Sequence, residues 1–279
     1  MTSWDGAPQI DAAAPGPGGW ARAAGRGVPT VAVVTLGLSL LLLVRLLERP
    51  LFGLRRPWTP WITVGVCRAA LALMGLRTVR RAGPVRADGA IVANHVSWLD
   101  ILALNAAGPL YFVAKSEVAG WPGIGWLARA TGTVFVVRDP RHAGAQRDEL
   151  TARLRAGHVL CVFPEGTSTD GRRVLPFKTA LFGAFFAEGL HETLQVQGAT
   201  LAYHAPPGTP AAFYGWWGEM GLAPHLLRVL AARRQGRVDV VFHPPRAVRD
   251  AQSRKTLARA AEGDVRAGLA AAGLSAEAP

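Results

Sequence analysis

The sequence predicts an α/β fold: a central mixed sheet flanked by helices, preceded by an N-terminal membrane-anchoring helical pair. Three observations carry this. Beyond Gly83, short Val- and Phe-rich apolar runs alternate with helical patterns. Residues 28–44 form 17 consecutive uncharged positions dominated by Val and Leu. A second apolar segment, 58–76, holds a single charge at Arg68.

Taken in order, residues 1–27 are rich in Gly, Pro and Ala and read as a disordered tail. Residues 28–82 read as the membrane anchor. At ~1.5 Å per residue the first run is near the lower limit for crossing a hydrocarbon core, and snorkelling by Arg45 extends it. Arg45, Arg49, Arg55 and Arg56 follow the run, and Arg22 and Arg26 precede it. That bias places the body of the protein on the cytoplasmic face of a bacterial-type cell membrane. A cleaved signal peptide fits poorly, for no compact cleavage motif is present, and a soluble core helix is the other alternative. Trp58 and Trp61, with Arg77, Arg80 and Arg81, bracket the second segment as interfacial anchors, so it is an interfacial or second membrane helix.

Residues 83–279 read as the α/β domain. Strands are expected at 90–94, 110–114, 133–137, 159–163, 196–202 and 238–243. Residues 141–156 form a helix with Leu150 and Leu154 on one face, and Ser253 caps a final helix in which Leu257, Ala261, Val265 and Leu269 recur every four residues.

The net charge of +12, carried almost entirely by Arg, calls for anionic partners. No helix-turn-helix, zinc-finger or aromatic RNA-binding signature accompanies it, so lipid and phosphorylated substrates are favoured over nucleic acid. Cys67 and Cys161 lie far apart in apolar segments and read as reduced thiols. The histidines at 142, 158, 191, 204, 225 and 243 lack ligand spacing, so no metal is expected. No G-x-S-x-G elbow occurs, which removes the serine hydrolases. Gly123-Ile124-Gly125 follows Trp121-Pro122 rather than a clean strand, so no dinucleotide cofactor is expected.

The most informative stretch is Asn94-His95-Val96-Ser97-Trp98-Leu99-Asp100, directly after an apolar run. A strand ending in a polar turn before a helix presents an imidazole and a carboxylate at the mouth of a site. The carboxylate fixes the ring tautomer, and the other ring nitrogen takes a proton from an attacking hydroxyl. The bland alternative is a surface His beside a helix-capping Asp. Two further strands end in suitable groups. Residues 132–138 deliver Arg138, a bidentate clamp for phosphate. Phe163-Pro164-Glu165-Gly166-Thr167 is a tight turn in which Gly lets backbone amides approach an anion.

These three blocks, in this order and spacing, resemble the signature blocks of the glycerolipid acyltransferase family, over roughly residues 90–202. The resemblance implies a membrane-bound acyltransferase without a cofactor, using acyl-ACP or acyl-CoA (acyl carrier protein or coenzyme A thioester) as donor. It implies His95 as general base, Asp100 as its orienter, and Arg138, Glu165, Gly166 and Thr167 shaping the acceptor site. Asn94, Ser97 and Lys115 are further candidates for substrate contact. Two departures stand out: Ser168 replaces the usual Arg, and Val196-Gln197-Gly198-Ala199 lacks the usual Pro. The Ser168-Thr169-Asp170-Gly171 variant, with Trp216-Trp217-Gly218-Glu219-Met220 and Val241-Phe242-His243-Pro244-Pro245, resembles the lyso-ornithine lipid branch. The main expectation is acylation of 1-acyl-sn-glycerol-3-phosphate to phosphatidic acid. The alternatives are acylation of lyso-ornithine lipid, and a non-catalytic protein that binds membrane lipid in the same cavity.

Overall fold

In the computed structural model, which describes residues 4–10, 14–83, 89–137, 139–187 and 189–274, the chain opens with two helices. These are α1 (Pro17–Phe52) and α2 (Thr59–Met74). The α/β unit then runs β1 (Arg77–Arg81), β2 (Gly89–Ala93), α3 (Leu99–Ala107), β3 (Tyr111–Lys115), α4 (Ile124–Thr131) and β4 (Val134–Val136). It continues through α5 (Ala143–Arg155), β5 (Leu160–Val162), β6 (Gln195–His204), α6 (Leu222–Ala231), β7 (Arg237–Phe242), β8 (Arg246–Ala247) and α7 (Arg254–Ala271).

One mixed sheet holds the strands in the order β1-β7-β6-β2-β5-β3-β4, with β8 paired to β6. From β6 to β4 every pairing is parallel, so β2, β3, β4, β5 and β6 all end at the same edge. The antiparallel β6–β7 pair makes the sheet mixed. All six expected strands form. Successive residues of β2 bury in opposite directions: Ile91 and Ala93 enter one apolar cluster, Ala90 and Val92 the other. Both faces are therefore covered, as parallel sheets require. On one side lie α3 and α6, on the other α5 and α7. In α7, Ser253 and Thr256 form a reciprocal cap and Leu257, Ala261, Val265 and Leu269 are buried.

Three expectations need correction. The sheet begins with β1, so residues 77–81 belong to the α/β unit rather than to an interfacial anchor; Arg77–Arg81 pair residue by residue with 237–241 of β7. The described part of the tail is ordered against the body: Trp217 Nε1 donates to the Ala7 carbonyl at 3.2 Å and Arg228 to that of Ile10 at 3.0 Å. Helix α1 also begins at Pro17 rather than near 28, because proline suits a first helical turn. Arg22 and Arg26 then tie that turn to the carbonyls of Ala231, Leu230 and Ala232 at the end of α6.

The helical pair forms as expected. Residue Gly37 allows the close crossing, since a Cβ there would stand 2.2 Å from Val66 Cγ2. Helix α1 is long and apolar enough to cross a membrane, and only 11% of its most apolar window is buried. Leu36, Leu40, Leu43 and Leu47 are exposed along it. Its first half is tied to the end of α6 by hydrogen bonds from Arg22 and Arg26, and its second half faces α4 across a shared cleft.

Candidate active site

The site is built at the common carboxyl edge of the parallel strands, where loops carry side chains out of the sheet. Strand β2 ends at Ala93 and releases Asn94 to Trp98 as a turn before α3. Asp100, in the first turn of α3 and fully buried, holds this turn with four hydrogen bonds. Its Oδ2 accepts from the amides of Val96 at 2.7 Å and Ser97 at 3.1 Å, and pairs with His95 Nδ1 at 2.7 Å. Its Oδ1 accepts from the Tyr203 hydroxyl at 2.8 Å. Both carboxylate oxygens are thus taken up by hydrogen bonds from the turn, the ring and the neighbouring strand. With Nδ1 donating to Asp100, His95 carries its lone pair on Nε2. The His95 side chain keeps 22% of its exposure, whereas Asp100 has none, so of the two only the imidazole reaches the surface. The Phe163 ring stacks on it at 4.1 Å and fixes its plane.

The loop after β5 locks this arrangement from below. The Glu165 carboxylate accepts the His95 amide at 2.7 Å through Oε1 and the Leu175 amide at 2.8 Å through Oε2. The Thr169 amide donates to the His95 carbonyl at 3.0 Å. Gly166 turns the chain at φ +72°, a conformation that only glycine adopts freely. The Trp216 amide donates to the Val96 carbonyl at 2.9 Å, and the Ser168 hydroxyl donates to the Trp216 carbonyl. Thus Ser168, standing where an arginine was expected, ties the Pro-Glu-Gly-Thr loop to the Trp216 loop.

Burial pushes the Glu165 carboxyl up to about 8 from 4.5, against the lowering pull of the Leu175 and His95 amides. Between those values the folded protein holds a proton that the unfolded chain has released, so this group's contribution to stability is complete below about 4.5 and is lost as pH rises through 8. Thermal unfolding in detergent should therefore show a melting temperature that falls from mildly acidic to mildly alkaline pH, by up to ~1.4 kcal/mol of stability per pH unit. In Glu165→Gln that slope should flatten. An identical slope in the variant overturns the assignment.

Residues 74–191 match the family model described as Acyltransferase. The lyso-ornithine lipid O-acyltransferase of Rhodobacter capsulatus is 57% identical over 251 residues, which is 90% of this chain and 91% of that protein. The chain belongs to the acyltransferase family. Within it, the Neisseria gonorrhoeae 1-acyl-sn-glycerol-3-phosphate acyltransferase is 32% identical over 61% of this chain and 66% of its own. A crystal structure of the 1-acyl-sn-glycerophosphate acyltransferase from Thermotoga maritima shares the fold, with a TM-score of 0.57 and 20% identity over 91% of this chain and all of that one.

Against this acyltransferase frame, the residues named from sequence fall into groups. His95 and Asp100 meet as the spacing predicts. Three others, Asn94, Ser97 and Glu165, are buried and hydrogen-bonded to backbone groups around the turn. Asn94 clamps the Leu201 amide and carbonyl at 2.8 and 3.0 Å, joining β2 to β6. The Ser97 hydroxyl accepts the Leu99 amide at 3.2 Å, at the start of α3. Gly166 and Thr167 are half-buried in the loop, and Lys115 ends β3 at the same edge. Arg138 lies outside the described residues. The candidate site also includes Tyr203, which no sequence signal links to Asp100 across 103 positions. Phe163 lies inside the recognised block, and its apolar neighbours disguised it as core.

Proposed function

We propose that the protein transfers a fatty acyl group from an acyl thioester, carried by acyl carrier protein or coenzyme A, to the hydroxyl of lyso-ornithine lipid. The observation that carries the acceptor is the 57% identity, across nine-tenths of the chain, to a relative of that name. This favours lyso-ornithine lipid over 1-acyl-sn-glycerol-3-phosphate, whose named relatives match over a shorter stretch. Ser168 supports the same choice, because the cation expected there for a phosphate head group is replaced by a hydroxyl held to Trp216.

In the proposed step, His95 Nε2 takes the hydroxyl proton as the acceptor oxygen attacks the thioester carbonyl. The tetrahedral intermediate collapses by breaking the carbon–sulfur bond, and the imidazolium returns its proton to the departing thiolate. Ester and free thiol are the products, and no covalent enzyme intermediate is needed. Asp100 stabilises the transient imidazolium and keeps Nε2 directed outward. A passive lipid-binding protein has no use for a base poised in this way.

The exposed leucine face of α1 supports membrane association. Because the helix runs along the α/β unit, in contact with both α6 and α4, we favour immersion of this face in the cytoplasmic leaflet.

Initial rates for purified protein with each lysolipid and each donor test the acceptor. The expected kcat/KM is higher for lyso-ornithine lipid by about tenfold or more, the equivalent of one good polar contact. Equal or inverted preference overturns the acceptor assignment while leaving acyl transfer intact.

A further inference from the structure

A cleft of about 450 Å³ lies between the second half of α1, the α1–α2 turn and α4. Leu38 and Leu42 form its apolar wall, and Arg45, Arg49, Arg56 and Arg129 supply its charge. Among the described residues, no carboxylate lines it. Glu48, the acidic side chain nearest in sequence, is fully buried beneath α2, where it accepts from the Trp58 and Thr59 amides and the Thr59 hydroxyl. Its remaining partner is Arg45 at 3.1 Å. Arg49 and Arg129 are exposed and have no carboxylate partner among the described residues. Arg56 donates Nη1 to the Ala130 carbonyl at 2.8 Å, while its Nε is buried without an acceptor. Arg153 stands just behind: the Cβ position of Gly132 lies 3.0 Å from both Arg153 Nη2 and Arg56 Cζ. Neighbouring guanidiniums repel one another unless an anion sits among them.

The cleft is separate from the acyl-transfer site. Helix α4 runs back from the carboxyl edge of β3, so Arg129 and Ala130 stand at the opposite edge of the sheet from His95. The cleft also opens beside exposed apolar side chains. Two of its lining residues are themselves exposed apolar side chains, Trp126 at 75% and Leu42 at 50%.

We propose that this cleft binds the phosphodiester head group of an anionic glycerophospholipid of the bilayer, with an acyl chain along Leu38 and Leu42. Guanidiniums clamp phosphate oxygens in pairs, the leucines accept the chain, and Trp126 sits at the interface between the two environments. An acidic protein surface satisfies the arginines but leaves the leucine wall unfilled, so a lipid is the better occupant.

The test compares full-length protein with the Arg49→Gln/Arg129→Gln variant in partitioning onto phosphatidylcholine vesicles with and without phosphatidylglycerol. Both substituted side chains are exposed, so the fold is retained. An Arg233→Gln/Arg234→Gln variant, also exposed, removes the same charge elsewhere. At about fivefold per basic group, the cleft variant should lose roughly 25-fold on phosphatidylglycerol vesicles and little on pure phosphatidylcholine. The control should lose no more than about threefold. Equal losses for the two variants mean diffuse surface charge and overturn the proposal. Unchanged vesicle binding with lost retention on acyl carrier protein overturns it in favour of carrier docking. Neither readout uses the acyl acceptor, so the result stands apart from the substrate assignment.

Discussion

Replacing His95 with Ala should lower kcat for lysolipid acylation by about 10²- to 10⁴-fold, the usual contribution of a positioned general base. The melting temperature should change little. The substitution removes the ring's contacts with Asp100 and Phe163. The side chain is partly exposed, however, Asp100 keeps its three other donors, and the backbone ties of residue 95 to Glu165 and Thr169 are preserved. His95→Gln should fail as badly, since an amide keeps the shape without the basicity. Initial rates at saturating donor and acceptor, measured beside a thermal melt, provide the check. Activity within tenfold of the original for both variants would leave the lipid-binding alternative as the better reading.

How much of this was legible beforehand depends on the sequence range of each interaction. The His95–Asp100 pair spans five positions, so one turn entering one helix was enough to bring it together. The six recognised strands, from β7 across to β4 at the sheet edge, were legible because their short apolar runs are largely buried. β1 was not, because Arg77, Arg80 and Arg81 give an edge strand a polar texture resembling a membrane-flanking cluster. β8, at two residues, carries no period at all. The polar residues Asn94, Ser97 and Glu165 were recognised as belonging to the site but given substrate contacts. The hydrogen-bond partners they have are backbone groups of Leu201, Leu99, His95 and Leu175, supplied by neighbouring loops and strands that composition cannot place. Tyr203 depends on β6 lying beside β2, a fact of topology rather than of local pattern. The tail was misread for a related reason: its contacts are made by Trp217 and Arg228, some two hundred residues away.

Asp100 offers the sharper discrimination, because a helix cap and a catalytic orienter make different demands on it. In Asp100→Asn the side-chain oxygen can still accept from the Val96 and Ser97 amides, and the Tyr203 hydroxyl can turn to accept from the new amide group. The turn therefore survives, and stability should fall by no more than about 1 kcal/mol. The negative charge facing the imidazolium is lost, so kcat should drop by roughly 10²- to 10³-fold with KM for the lysolipid nearly unchanged. Asp100→Ala instead leaves two backbone amides and a tyrosine hydroxyl without their partner, at about 1–3 kcal/mol each where they are buried, and should lower stability and activity together. A cap alone predicts that Asn, an excellent capping residue, restores both. If Asp100→Asn acylates at the original rate, the carboxylate serves only to shape the turn, and His95 works without an electrostatic partner.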